Sequence, residues 1–154
     1  MKLITAICLS ATVLSSPTAS SGHYKPLPTS PFDEYGEISW EDEKAHLDNF
    51  AIQLQQDSDL IGYVLVYDAA RGCPGEAQAR AIRAKRYVVH RGLPWNRVIW
   101  RQEGYQADIH TVLQPVKQNV IPPRPFLGPT VAAIDGEASK LCKAKVSRIR
   151  RSKW

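Results

Sequence analysis

The stretch Leu60-Ile-Gly-Tyr-Val-Leu-Val-Tyr67 decides the predicted fold. It is almost entirely apolar and rich in valine and tyrosine, which is typical of a central strand covered on both faces. Asp68 ends this run. Residues 69–75, Ala-Ala-Arg-Gly-Cys-Pro-Gly, then form a loop, because two glycines and a proline interrupt regular structure. The sequence therefore predicts a buried strand that ends at Asp68 and leads into a glycine-bracketed loop.

Amphipathic helices are predicted on both sides of this strand. The first covers residues 40–56, and the Ser39 hydroxyl caps its first turn. Its apolar residues recur at helical spacing and share one face: Leu47, Phe50, Ala51 and Leu54. The second covers about residues 76–91 and ends at Gly92, which tolerates the positive φ that follows many helices. Its inner stripe is small enough to approach a sheet closely: Ala77, Ala81, Ala84 and Val88.

Three further strands complete the predicted domain. They cover residues 35–40, 97–101 and 107–113, and a turn at Glu103-Gly104-Tyr105 separates the last two. The element order is β-α-β-α-β-β. Strands that alternate with helices in this way indicate an α+β two-layer sandwich, in which the helices cover one face of a sheet. We expect this domain to span residues 32–116.

The first residues are typical of a secretory signal peptide. Lys2 gives the positive charge, residues 3–14 are mainly apolar, and small residues follow as far as Ser21. The apolar run is shorter than the roughly 20 residues that a membrane-spanning helix needs. The alternative is a short buried N-terminal helix. We expect a cleaved signal peptide at residues 1–20, a proline-rich linker at residues 21–31, and an exported, periplasmic protein without a transmembrane span.

Charge is strongly polarised along the chain. Residues 22–70 hold 2 basic and 10 acidic side chains, whereas residues 117–154 hold 9 basic and 2 acidic ones. This second segment is predicted to be a proline-rich linker and an extended basic tail. Its last part, residues 136–151, is predicted to form a lone exposed helix with Leu141, Val146 and Ile149 as weak apolar anchors. The basic residues expected to make contacts are Lys140, Lys143, Lys145, Arg148, Arg150, Arg151 and Lys153.

Several partners suit such a tail. In an exported protein we expect an anionic lipid, an anionic glycan or an acidic protein, and no nucleic acid. Two further alternatives remain open: a solvated tail without a partner, and a tail that folds back onto the acidic segment 22–70.

Two cysteines remain after the signal peptide, Cys73 in the glycine-bracketed loop and Cys142 in the tail. An oxidising compartment and an even number of cysteines favour one disulfide, and two free thiols are the alternative. The bridge would close a loop of about 70 residues and stabilise the domain by roughly 4 kcal/mol.

The sequence contains no recognisable catalytic set. There is no Cys-x-x-Cys pair, and the three histidines of the domain, His46, His90 and His110, fall on different elements. No serine lies in a nucleophile-elbow motif. We therefore expect a non-enzymatic protein with no metal site and no cofactor.

Asp68 and the pair Arg83-Ala84 carry a resemblance to a known family. Over roughly residues 32–116 the chain resembles the OmpA-like peptidoglycan-binding domain. In that family an aspartate after the second strand and an arginine in the following helix hold the diaminopimelate of the wall peptide. The resemblance implies that Asp68 would bind the ammonium and Arg83 the carboxylate of such a zwitterion. The expected ligand-binding set is Asp68, Arg83, Arg71, Gly72 and Arg80.

An intramolecular alternative exists for Arg80, because Glu76 lies four residues before it on one helix face and can pair with it.

The functional expectation is an exported, non-catalytic protein that holds the peptidoglycan stem peptide non-covalently. The alternative is an accessory subunit of an envelope protein complex, with the basic tail docked on a partner or an anionic surface.

Overall fold

The computed structural model describes residues 31–118, residue 120 and residues 140–152. In chain order the elements are β1 (Asp33–Tyr35), α1 (Trp40–Gln56), β2 (Leu60–Ala69), α2 (Glu76–His90), a 3-10 turn (Trp95–Arg97), β3 (Val98–Gln106), β4 (His110–Lys117) and α3 (Lys140–Arg151). The predicted α+β class and the β-α-β-α-β-β order up to β4 are confirmed. The signal peptide, residues 21–30 of the linker, residues 121–139 and Lys153 lie outside the described residues.

The four strands form one mixed sheet in the order β1-β4-β2-β3. Strand β4 is antiparallel to both β1 and β2, and β3 is parallel to β2. Strand β2 is thus central, with Val64 opposite Leu113 of β4 on one side and Trp100 of β3 on the other. The parallel β2–β3 pair needs a crossover connection, and α2 supplies it. This topology brings the carboxyl end of β2 next to the start of α2.

Two strand predictions were wrong in position. The first strand covers Asp33–Tyr35 rather than 35–40, because its length is set by pairing with β4, where Tyr35 lies opposite Thr111. The predicted turn at Glu103-Gly104-Tyr105 is instead a bulge inside β3, which continues to Gln106. Gly104 has φ of 120°, which suits the extra residue of a bulge. The connection to β4 therefore falls at residues 107–109, and the last strand covers His110–Lys117 rather than the predicted 107–113.

The main core lies between the sheet and the helices α1 and α2. It joins the predicted faces of both helices to β2, β3 and β4 through Leu47, Phe50, Leu54, Val64, Val66, Ala81, Ala84, Val88, Val98 and Leu113. The predicted Ser39 cap of α1 is confirmed, since its hydroxyl accepts the Asp42 N–H. Gly92 has the predicted positive φ, 101°. Helical periodicity was therefore a sound guide to this layer.

The opposite face of the sheet is also apolar and buried. Its cluster contains Tyr63, Leu65, Tyr67, Val112 and Val116, and Val120 packs against it. Alternate residues of β2 thus lie in two different cores, as its continuous apolar run predicts.

The basic tail is not extended or lone over residues 140–152, which corrects the prediction. These residues form α3, which docks on α2 through Val146 and Ile149 against Ala79. The bridge between Cys73 and Cys142, 69 residues apart in sequence, fastens its first turn. Leu141, the third predicted anchor, is 82% exposed. Across the described residues, no helix is both long and apolar enough to cross a membrane.

Candidate functional site

Asp68 stands at the carboxyl end of β2 and is only 4% exposed. Its Oδ1 accepts the backbone N–H of Ala77 in the first turn of α2 (3.0 Å), and its Oδ2 accepts from Nε2 of Gln102 on β3 (2.8 Å). Burial raises the pKa of Asp68, while the hydrogen bond from Ala77 acts in the opposite direction. Both carboxylate oxygens therefore have partners inside the domain, and the side chain ties β2 and β3 to the start of α2.

Arg83 connects α2 to α1. Its guanidinium donates to Oε2 of Glu43 and lies over the ring of Trp40, with Cζ 4.2 Å from the ring centroid. Glu43 is 1% exposed, and its Oε1 accepts from the Tyr35 hydroxyl (3.5 Å). Burial raises the pKa of Glu43, and the guanidinium of Arg83 opposes this rise. Burial lowers the pKa of Arg83, and Glu43 opposes that change. The two buried charges compensate each other.

The two residues of the predicted zwitterion site thus bind different partners. Asp68 contacts the backbone at Ala77, and Arg83 lies six residues further along the same helix, about 9 Å at the usual rise of an α-helix. On the side of α1, the guanidinium of Arg83 already forms an ion pair with Glu43 and lies over the ring of Trp40. Their joint binding of a wall peptide stays a prediction, and it would require these internal contacts to open.

Arg80 belongs to a four-membered charge cluster at the start of α2. It donates to Glu76 (2.9 Å) and to Glu37 (3.1 Å), so the predicted pairing with Glu76 is confirmed. Lys145 of α3 binds the same two carboxylates, at 2.9 and 3.0 Å. Hydrogen bonds from Lys145 and the charges of both cations lower the pKa of Glu37. One predicted tail residue therefore folds back onto acidic groups of the domain, and it fixes α3 electrostatically.

Arg71 and Gly72 lie at the exposed tip of the loop between β2 and α2. The N–H of Gly72 donates to the carbonyl of Ala69 (2.8 Å), so this donor closes a turn. Cys73, the next residue, carries the disulfide to Cys142, and the predicted bridge is confirmed. The main role visible for this loop is to attach α3.

The outward face of α3 is cationic. The helix contains no acidic residue, and Lys145 is turned inward to Glu37 and Glu76. At 100° per residue, Lys140, Arg148 and Arg151 point away from α2, and Lys143 lies at the edge of this face, close to Arg150. We call these four exposed cations, Lys140, Lys143, Arg148 and Arg151, the cationic ridge. Arg148 and Arg151 also place positive charge at the carboxyl end of the helix, where the helix dipole favours it.

Arg150 lies at the edge of this face and lines a pocket between α2 and α3. The pocket is about 220 Å³ in volume. Its lining is Gln78, Ala79, Ile82, Arg83, Arg86, Arg150 and Ser152. Asp68 is not among these residues. The open space next to Arg83 is therefore bordered by further arginines and not by the aspartate that the resemblance pairs with it.

Sequence reasoning missed Glu43, Gln102 and Arg86. A signal for Glu43 existed, because it lies four residues before Leu47 on the apolar face of α1, where a carboxylate needs a buried partner. No local signal marked Gln102 or Arg86, since their positions matter only through contacts with distant elements.

Two of the domain histidines, His46 and His110, lie beside acidic side chains. His46 lies 2.6 Å from Oδ2 of Asp33 and stacks on Tyr35, and His110 lies 3.5 Å from Glu34. Within the part of the chain that the structure describes, no three His, Cys, Asp or Glu side chains converge as metal ligands.

Comparison of this chain with protein-family models, with curated proteins and with solved structures gave no match. The OmpA-like resemblance therefore stays a prediction from the sequence.

Proposed function

We propose that this chain is an exported, non-catalytic binding protein that holds an anionic polymer of the cell envelope through the cationic ridge of α3. The observation that carries the proposal is this ridge: four exposed cations on a helix without any acidic residue. Peptidoglycan is the first choice of polymer because its stem peptides carry free carboxylates. Lysine and arginine bind carboxylates through charge-assisted hydrogen bonds.

The docking of α3 favours a contact based on charge over insertion into lipid. A helix that inserts into a bilayer surface needs an exposed apolar face. The apolar side chains Val146 and Ile149 are already buried on α2, and Leu141 is the exposed large apolar residue of α3. The ridge is thus left with electrostatic contacts, and these are weakened by salt.

The finer assignment, an OmpA-like architecture for residues 32–116, belongs to the same proposal. Its support is the β-α-β-α-β-β order, with Asp68 at the end of the central strand and Arg83 in the following helix. A wall peptide held by that pair would have to displace Gln102 and Glu43. Contact with the ridge needs no such displacement, so we prefer it.

Sedimentation with purified, insoluble peptidoglycan tests the proposal. The mature chain, with its disulfide intact, is compared with a Lys143→Gln/Arg148→Gln variant. The matched control is Arg101→Gln/Lys117→Gln, which removes two exposed cations from the sheet. Two surface ion contacts are worth about 0.4–2 kcal/mol together, so the ridge variant should bind about two- to thirtyfold more weakly. The control should bind like the wild type.

Three results would contradict the proposal: no sedimentation of the wild type at about 0.05 M salt, equal losses in the ridge and control variants, or binding insensitive to about 0.5 M salt.

An Asp68→Asn variant separates the two possible sites. It keeps the acceptor for Ala77 but removes the charge that would bind an ammonium. If it loses binding while the ridge variant keeps it, the zwitterion site is the correct one.

A second candidate function is an accessory subunit of an envelope complex. The observation that favours it is the rigid attachment of α3 through Cys142, Lys145 and Val146, which gives the ridge a fixed shape for a protein partner. Removal of residues 121–154, together with Cys73→Ser, should then abolish co-purification with an acidic envelope protein. Retained co-purification would count against this function.

A further inference from the structure

The pocket between α2 and α3 concentrates positive charge. Arg83 and Arg86 come from α2 and Arg150 from α3, and none of the described residues that line the pocket carries a carboxylate. Glu43, on the far side of Arg83, compensates one of the three charges. Arg86 and Arg150 are exposed, and neither makes an ion pair with the described part of the chain. Two uncompensated guanidiniums therefore face one small volume.

Arg83 also has unused hydrogen-bonding capacity at this place. The residue is 8% exposed, and its buried Nε–H has no acceptor among the described residues. A buried donor without an acceptor costs free energy unless a ligand or water satisfies it. Its ion pair with Glu43 goes through Nη2, and Arg83 also lines the pocket.

The remaining lining suits a small polar group on an organic stem. Ala79 and Ile82 provide an apolar wall, and the carboxamide of Gln78 supplies a neutral donor. The carboxyl end of α3 lies beside the pocket, and its carbonyl groups disfavour an anion. The Ser152 hydroxyl and N–H already donate to two of these carbonyls, those of Arg148 and Ile149. The guanidinium charges outweigh what remains of this repulsion.

We infer that this pocket binds a phosphate monoester, held between Arg86 of α2 and Arg150 of α3 with Arg83 at its base. Arginine forks match both phosphate and carboxylate oxygens. The charge decides between them, because a phosphate monoester carries about −1.5 to −2 at neutral pH, whereas a carboxylate carries one negative charge. The two uncompensated guanidiniums match the former. This site is separate from the cationic ridge, and its existence does not depend on the proposed function.

Isothermal titration of the mature, oxidised chain with glycerol 3-phosphate tests the inference. Arg86→Gln and Arg150→Gln should each weaken binding about tenfold or more, because each removes a charge-assisted hydrogen bond. Arg148→Gln is the matched control, since it removes an exposed arginine of α3 outside the pocket and should change binding less than about twofold. Arg83 is left intact because its loss would uncover Glu43.

Two further probes complete the test. Acetate at matched ionic strength should bind about tenfold or more weakly than glycerol 3-phosphate, since its single charge leaves one guanidinium uncompensated. Vesicles containing phosphatidic acid present the same phosphoryl group on a lipid. Binding of glycerol 3-phosphate, with or without binding of the vesicles, identifies a small-molecule site. Binding of the vesicles alone identifies a lipid headgroup. In either case the binding should weaken in Arg86→Gln and in Arg150→Gln. Absent binding of both probes, equally tight acetate binding, or wild-type affinity in the two pocket variants would overturn the inference.

Discussion

Replacing Arg83 by methionine should destabilise the domain far more than removing any cation of the ridge. Methionine keeps most of the length of the side chain and its packing on Trp40, but it removes the guanidinium that compensates Glu43. Glu43 is 1% exposed and cannot recover hydration in the folded protein. The variant thus leaves a buried carboxylate without its counter-ion.

Breaking a buried ion pair on one side costs about 3–5 kcal/mol. At about 5 °C per kcal/mol for a domain of roughly 100 residues, this cost lowers the melting temperature by about 15–25 °C. Removing both charges, in Glu43→Gln/Arg83→Met, should recover much of the loss, because the glutamine is neutral and still accepts from Tyr35. The coupling between the two sites should therefore be large in a double-mutant cycle.

The loss should also depend on pH in a defined direction. Burial raises the pKa of Glu43 in the folded wild type, and Arg83 is the main group that opposes the rise. In Arg83→Met the folded pKa is higher still. Between the unfolded and the folded pKa the native state holds a proton that the unfolded state lacks, so stability increases as pH falls through this window. The deficit of the variant should shrink between pH 7 and pH 5.

Urea unfolding at pH 7 and pH 5 measures both effects. Four chains are compared: the wild type, the two single variants Arg83→Met and Glu43→Gln, and the double variant. If Arg83→Met lowers the free energy of unfolding by less than about 1 kcal/mol at pH 7, the Glu43–Arg83 pair contributes no more than an exposed surface ion pair. A deficit that grows on acidification would contradict the sign derived for Glu43. Either result would refute the buried-pair reasoning.

Three further changes probe other parts of the structure. Cys142→Ser should release α3 and lower the free energy of unfolding by about 4 kcal/mol, because the bridge joins residues 69 apart in sequence. Amide hydrogen exchange across α3 should then become fast. Protected amides in α3 would show that its docking does not need the bridge. Asp68→Ala should cost about 1–3 kcal/mol in urea unfolding, because the N–H of Ala77 loses its acceptor, whereas Asp68→Asn keeps one and should cost less; equal losses would speak against this. Gly62→Ala should cost about 1–3 kcal/mol, since its Cβ would lie 2.5 Å from Cδ1 of Leu54; an unchanged melting temperature in calorimetry would contradict the tight fit.

Several contacts that define the candidate site lay beyond sequence reasoning. Arg83 was recognised as important, but its partner Glu43 lies 40 residues earlier on another helix. The basic tail is predicted to be extended, with folding back onto the acidic segment 22–70 as an alternative, and Lys145 reaches Glu37 of that segment, 108 residues before it. Charge composition indicates that such partners exist in the chain. It does not say which of them meet, because that depends on how the helices pack.

The sequence by itself determined the features that repeat at short range. The period of apolar residues placed α1 and α2, the continuous apolar run made β2 a strand buried on both faces, and spacing of four residues paired Glu76 with Arg80. Only the tertiary structure decided that β4 separates β1 from β2, that Asp68 and Arg83 have different partners, and that α3 docks on α2 to form an arginine-lined pocket. The physical reason is that local elements follow from neighbouring residues, whereas a site follows from side chains that the packing of distant elements brings together.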